Sequence, residues 1–280
     1  MGTAPSRLPD RREGVIMFLM PFTPSHTAAA IPFFRTRLVP SAIIIGCMAP
    51  DFEYFLRFEV EGGLGHSFLG VFLLDLPLSL IALWLFHAYA KEPLYAWLPE
   101  DFRRRIRLGP AAMPVRNVGE FVLVALSIVI GTATHLLWDS FTHRNFWPYK
   151  HWAWYLHQTA TLPVWGEMEY VRVLQHVSTI VGALALLLWV RAWYRRTAPV
   201  QVDLAPGPVS NRRSVFAAIC ALSFISASIR ALLANGVPGV KDDVKPFVGD
   251  AVITSITVFW MLIVVYGFLR ARTRQQQRES

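Results

Sequence analysis

His135, Asp139 and His143 recur at four-residue intervals in HLLWDSFTH. On a helix that spacing stacks side chains on one face, so His135 and Asp139 can grip one ion, with His143 a turn further on or just past the helix end. The same residues also suit an acid-base pair without metal, or a polar network in which Asp139 merely orients His135. Four further groups carry comparable chemistry. His66 stands in GLGHSFLG, ahead of a helix that Ser67 can cap; His26 falls in the first turn of a short helix capped by Thr23 or Ser25 in MPFTPSHTAAAIP. Asp51 follows Pro50 in IIIGCMAPDF, and His176 in LQHVSTIVG has Gln175 and Ser178 as outer hydrogen-bonding partners. Imidazole mixed with carboxylate suits zinc, iron or manganese, and a divalent ion with an open position activates water. Asp75, deeper in an apolar run and close to Pro77, is expected at a break in helix hydrogen bonding that faces a polar cavity.

These groups lie in or beside apolar segments, where an unpaired ionisable side chain costs several kcal/mol. The chain is 54% apolar and only 16% charged, too hydrophobic for a soluble surface. Five full spans are predicted: Leu69 to Tyr89, Gly119 to Asp139, Leu174 to Tyr194, Val215 to Leu233 and Ala251 to Leu269. A sixth apolar region, Ala28 to Met48, is interrupted by Pro32, Arg35, Arg37 and Pro40 and reads as two short helices that turn back. Such a hairpin returns His26 and Asp51 to one side. The expected fold is therefore an all-α polytopic membrane bundle with an N-terminal short-helix hairpin. Residues 1–19 form a polar leader, 20–270 one membrane domain and 271–280 a polar tail.

Arginines gather in the 91–118 and 191–213 loops and in the tail, which the positive-inside rule makes cytoplasmic together with the C-terminus. The candidate ligands are then expected to converge near the outer face of the cell membrane. The net charge of +8 is largely these juxtamembrane arginines, and no nucleic-acid partner is expected. The aromatic 141–173 loop suits the headgroup layer, either as a lid over the helix ends or as an anchor. Cys47 and Cys220 lie far apart in apolar stretches and read as packing residues. A serine elbow, a phosphate loop and an HExxH pair are all missing from the sequence.

MPFTPSHTAAAIP, IIIGCMAPDFEYF, GHS, GTATHLLWDSFTH and LQHVSTIVG resemble the bacterial family catalogued as domain of unknown function 4184, small integral membrane proteins. A more distant resemblance is to inner-membrane metal-dependent hydrolases regulated by the SOS response. Carried over by position, these resemblances imply His26, Asp51, His66, His135 and Asp139 as a metal set, with His176 a weaker member and His143 a neighbour. The leading expectation is a metal-dependent membrane hydrolase acting on a lipid-like or hydrophobic molecule, with membrane lipids around it and Asp139, His143 and Asp75 in catalytic roles. The alternatives are a membrane isomerase or cyclase of a hydrophobic metabolite, and a transporter or ion-binding membrane protein.

Overall fold

In a computed structural model, residues 23–58, 63–109, 113, 115–144, 146–152, 154, 157–162, 166–200, 211–237 and 244–279 are described. The 1–19 leader lies outside them.

The chain first forms a narrow 3-10 helix, Thr23–Arg35, which carries within it Pro32, whose ring removes a backbone donor. Thr36 accepts from Leu38 N–H and donates to Phe33 O, turning the chain, and Val39 N–H donates to Ser127 Oγ on a later helix. Pro40 then opens α1, Pro40–Gly46, where its missing N–H costs nothing. The two expected short helices are thus present, with the turn between them. A 3-10 turn, Ala49–Asp51, leads into α2, Phe52–Arg57.

Five helices among the described residues are long and apolar enough to cross a membrane, and the chain is a multi-pass membrane protein. The first, α3, runs over Phe68–Trp97 and begins where Ser67 Oγ accepts from Gly70 N–H, the expected cap. It widens into a π turn at Val71–Asp75, two residues ahead of Pro77, which is the expected break. The second, α4, Val118–Thr142, is capped by Asn117 Oδ1 accepting from Glu120 N–H, while Glu120 accepts from Arg116 N–H. The remaining spans are α5, Tyr170–Arg196; α6, Arg212–Asn235; and α7, Val244–Glu279. α7 continues through the expected tail as helix.

The 141–173 loop departs from an all-helical reading. It holds a short helix, Trp147–His151, and an antiparallel hairpin of β1, Thr159–Leu162, with β2, Gly166–Glu169, in the register Thr159↔Glu169 to Leu162↔Gly166. Paired threonines favour the extended chain, and Gly166 at φ 73° supplies a left-handed residue beside the turn.

The core joins α1, α3 and α4 through Ala42, Ile45, Leu83, Val124 and Ile128. α1 lies against α4 because Gly131 lets the backbones meet: a Cβ there would strike Ile43 O and come within 2.8 Å of Cys47 N. Gly182 on α5 does the same for the first arm, since a Cβ would sit 2.7 Å from Ser25 O. α6 and α7 pair with each other and dock on α3 through Ala90, Ile219 and Ile263. Outward faces stay apolar; Val177, Ile180, Val181, Leu184, Leu187 and Leu188 stand exposed along α5, at intervals that suit a helix wall in lipid.

The two ends of the bundle differ in chemistry. At one, the guanidinium of Arg105 lies over Tyr194, Arg212 donates to Ala96 O, and Arg274 pairs with Glu92. At the other end, the turn after α1, the start of α3 and the end of α4 come together.

Candidate metal centre

His135 lies one turn before Asp139 on α4, and both are buried. The His135 ring is fixed by its Nδ1, 2.8 Å from Cys47 O at the end of α1. A carbonyl only accepts, so Nδ1 carries a proton, and in the neutral ring Nε2 is left with a lone pair. That lone pair faces Asp139 Oδ2 at 3.2 Å and Asp51 Oδ1 at 3.7 Å, with no hydrogen-bond partner of its own among the described residues. His66 Nε2 lies between the same two oxygens, 3.4 Å from Asp51 Oδ1 and 3.5 Å from Asp139 Oδ2. Two nitrogens and two carboxylate oxygens thus enclose one point. Four of the six edges of that figure span 3.2 to 3.7 Å. A tetrahedral ion with ligands about 2.0–2.1 Å away requires edges of about 3.4 Å.

Each donor is delivered by a different segment. Asp51 ends the 3-10 turn after α1, and its Oδ2 accepts from Thr23 Oγ1 at 2.5 Å, which ties the two ends of the hairpin together. His66 sits on the loop before α3. That loop is held by Glu53, a buried carboxylate whose Oε2 accepts from Gly63 N–H at 3.0 Å and Gly65 N–H at 3.1 Å, with Arg57 at 2.6 Å from Oε1. Burial opposes charge on Glu53, but the N–H groups of Gly65 and Gly63 and the Arg57 guanidinium outweigh it and hold its carboxyl below the usual range.

His26 and His143 complete the cluster from Asp139's other oxygen. His26 Nε2 is 3.4 Å from Asp139 Oδ1, and its ring stacks on His135 and meets the edge of Trp138. His143, the residue that ends α4, places Nδ1 3.4 Å from the same Oδ1. Two groups of three side chains are spaced to hold a metal: His26, His135 and Asp139, and Asp51, His66 and His135.

Three expected residues stay outside these groups: His143, which touches Asp139 beside them, His176 and Asp75. His176 is replaced at this level by its neighbour, because one residue turns a helix by about 100°, and it is Gln175 whose Nε2 reaches His143 Nε2 at 3.2 Å. Asp75 is fully buried at the π turn, and neither of its oxygens has a hydrogen-bond partner among the described residues. It lies behind the loop of His66, close to Gly65, and joins neither ligand group. Glu53 was missed in the sequence, since its partners are backbone N–H groups that no side-chain spacing announces.

The rim is aromatic. Tyr54 stacks on His66, and Phe146 turns its edge to both His66 and His143. Glu169 fastens the β hairpin above, through Arg144 at 2.7 Å and Tyr149 at 3.2 Å.

Residues 20–268 match the family described as Domain of unknown function (DUF4184), and the chain belongs to that family. No curated protein and no solved structure matches it.

Proposed function

We propose that this family member is a metal-dependent hydrolase acting on a lipid-like molecule at the outer face of the cell membrane. The observation that carries the reading is the Nε2 of His135, buried, without a hydrogen-bond partner among the described residues and aimed at two carboxylate oxygens, while Cys47 O holds a proton on the far nitrogen. Lone pairs facing lone pairs in a buried site repel, unless a proton or a metal ion lies between them. Asp51, His66, His135 and Asp139 would hold that ion, and their mixed nitrogen and oxygen donors suit zinc, iron or manganese. A divalent ion in this centre supplies a Lewis acid and, where a coordination position stays open, makes bound water a nucleophile near neutral pH.

The surroundings favour an amphiphilic substrate. Tyr54 and Phe146 offer an apolar rim beside the histidines, and the apolar flank of the bundle lets a lipid tail remain in the hydrocarbon while its polar end reaches the site. Orientation follows from charge: the end bearing Arg105, Arg212 and Arg274 belongs in the cytoplasm, which turns the histidine end outward.

The test is a mass-resolved assay of detergent-purified protein against phosphate-ester and acyl-ester lipids, with elemental analysis of the same samples. Products that have gained water are expected, with turnover lost by more than about 100-fold in Asp139→Asn, beyond what removal of an outer partner costs. Products of unchanged mass would replace hydrolysis with isomerisation or cyclisation.

A further inference from the structure

The stacked rings of His26 and His135 limit what one ion can do. Their centroids are 4.1 Å apart and their planes are tilted by only 23°. An imidazole binds a metal in its own plane, about 2.0–2.1 Å from the nitrogen. Two rings lying face to face at that separation and tilt do not converge on a point so close to both nitrogens. His26 and His135 are close enough to be grouped with Asp139 as donors, but rings this nearly parallel do not both bind the same ion in plane, so an ion held in plane by His135 leaves His26 for another.

Asp139 is divided in the same way. Its Oδ2 faces His135 and His66, whereas Oδ1 faces His26 Nε2 and His143 Nδ1, each at 3.4 Å. Oδ1 is buried and has no hydrogen-bond partner among the described residues. A carboxylate that turns one oxygen to each of two donor sets is a bridge.

We infer that the centre binds two divalent ions. One lies among Asp51, His66, His135 and Asp139 Oδ2, and the second lies among His26 Nε2, His143 Nδ1 and Asp139 Oδ1. This rests on the metal reading above and adds the second ion. Paired ions of this kind sit about 3.5–4 Å apart, which is close to the spacing of the stacked rings.

The two positions differ in what they leave free. The first is ringed by four protein donors and is closed; the second has three and adjoins His143, the most exposed of the five histidine and aspartate side chains that touch Asp139 or belong to it. The open coordination place therefore belongs to the second ion. Gln175 governs it through His143. Gln175 Nε2 faces the ring at 3.2 Å; once the carboxamide flips to present its oxygen, His143 Nε2–H donates and Nδ1 is freed for an ion, the usual arrangement behind a metal-bound imidazole. Thr142 Oγ1, 3.1 Å from that Nδ1, has an outlet in Trp138 O and need not occupy it.

The experiment uses the full-length protein in detergent, stripped with chelator and reloaded with Mn(II), followed by elemental analysis and low-temperature electron paramagnetic resonance. Two manganese ions per chain with an exchange-coupled spectrum are expected. His26→Ala is expected to retain one ion and show the hyperfine sextet of isolated Mn(II). His143→Ala, a change at a more exposed ring, gives the same outcome if His26→Ala does not fold. Gln175→Leu is expected to weaken the second ion at least tenfold and spare the first. One manganese per chain in the unaltered protein, with an isolated spectrum and no change in His26→Ala or His143→Ala, would overturn the second ion while leaving the first in place. No bound manganese at all, with none regained as zinc or iron, would overturn both.

Discussion

At the scale of single residues, the centre depends on protonation being settled before any ion arrives. Cys47 O settles it for His135, and the carboxylates of Asp51 and Asp139 set the opposing charge. His135→Ala and Asp51→Asn are each expected to purify folded but lose the ion of the closed position, read as metal per chain. Ligation needs neutral imidazoles, whose ordinary pKa is about 6.5. Metal affinity is therefore expected to fall as pH drops, by about tenfold or more per unit once the ligand imidazoles protonate, measured by competition with a chelator of known pH dependence. Glu53 works at one remove. Its carboxyl is held low by the N–H groups it accepts from, so its contribution is present above the ordinary glutamate range and fades as pH falls through the lowered value. Glu53→Gln keeps an acceptor but loses the charge, and is expected to cost about 1–2 kcal/mol in thermal unfolding and to loosen the ion that His66 helps to hold. Spacing alone exposed His135, Asp139 and His143, because helical periodicity translates directly into a face. It could not tell His176 from Gln175, the one of the pair that reaches His143, since one residue of register decides between two sides of α5.

Elements impose the next constraint. His26 and Asp51 lie 25 positions apart in the chain, and only the reversal between the first arm and α1 returns them to one level. The prolines made that reversal legible, but the contact that locks it is not a motif: it is the absence of a side chain at Gly131, which seats Cys47 O against His135. Gly131→Leu is expected to push α1 off α4, costing upwards of about 3 kcal/mol because the obstructing atoms are backbone, and to abolish metal retention even though no donor is changed. Gly131→Ala asks for a smaller shift at the same atoms and is expected to give a milder loss in the same two readouts. The β hairpin was hidden in the sequence by its length, four residues a strand, within a loop whose tryptophans and tyrosines spoke louder of the interface.

Across the whole molecule, the five spans were legible because hydropathy over about 20 residues is a property of composition and survives errors of a few positions at either end. Which spans touch was not, since outward faces and contact faces are equally apolar in a membrane protein and the choice rests on small residues and close backbones. Loading the centre ties the hairpin, α3 and α4 together, so saturating metal is expected to stabilise the detergent-solubilised protein by about 4 kcal/mol at a thousandfold excess over Kd, seen as a rise in Tm that chelator reverses.

Every proposed donor lies between His26 and His143, and α5 adds only Gln175 behind them. During synthesis the full donor set therefore leaves the ribosome before α6 and α7 exist. On the metal reading, an ion is captured while α6 and α7 are still being translated, and the two helices then dock on α3 beside a finished centre. Occupancy in the cell would then be decided by the metal available at the moment of membrane insertion, and protein made under metal starvation would refill more slowly than its final affinity implies.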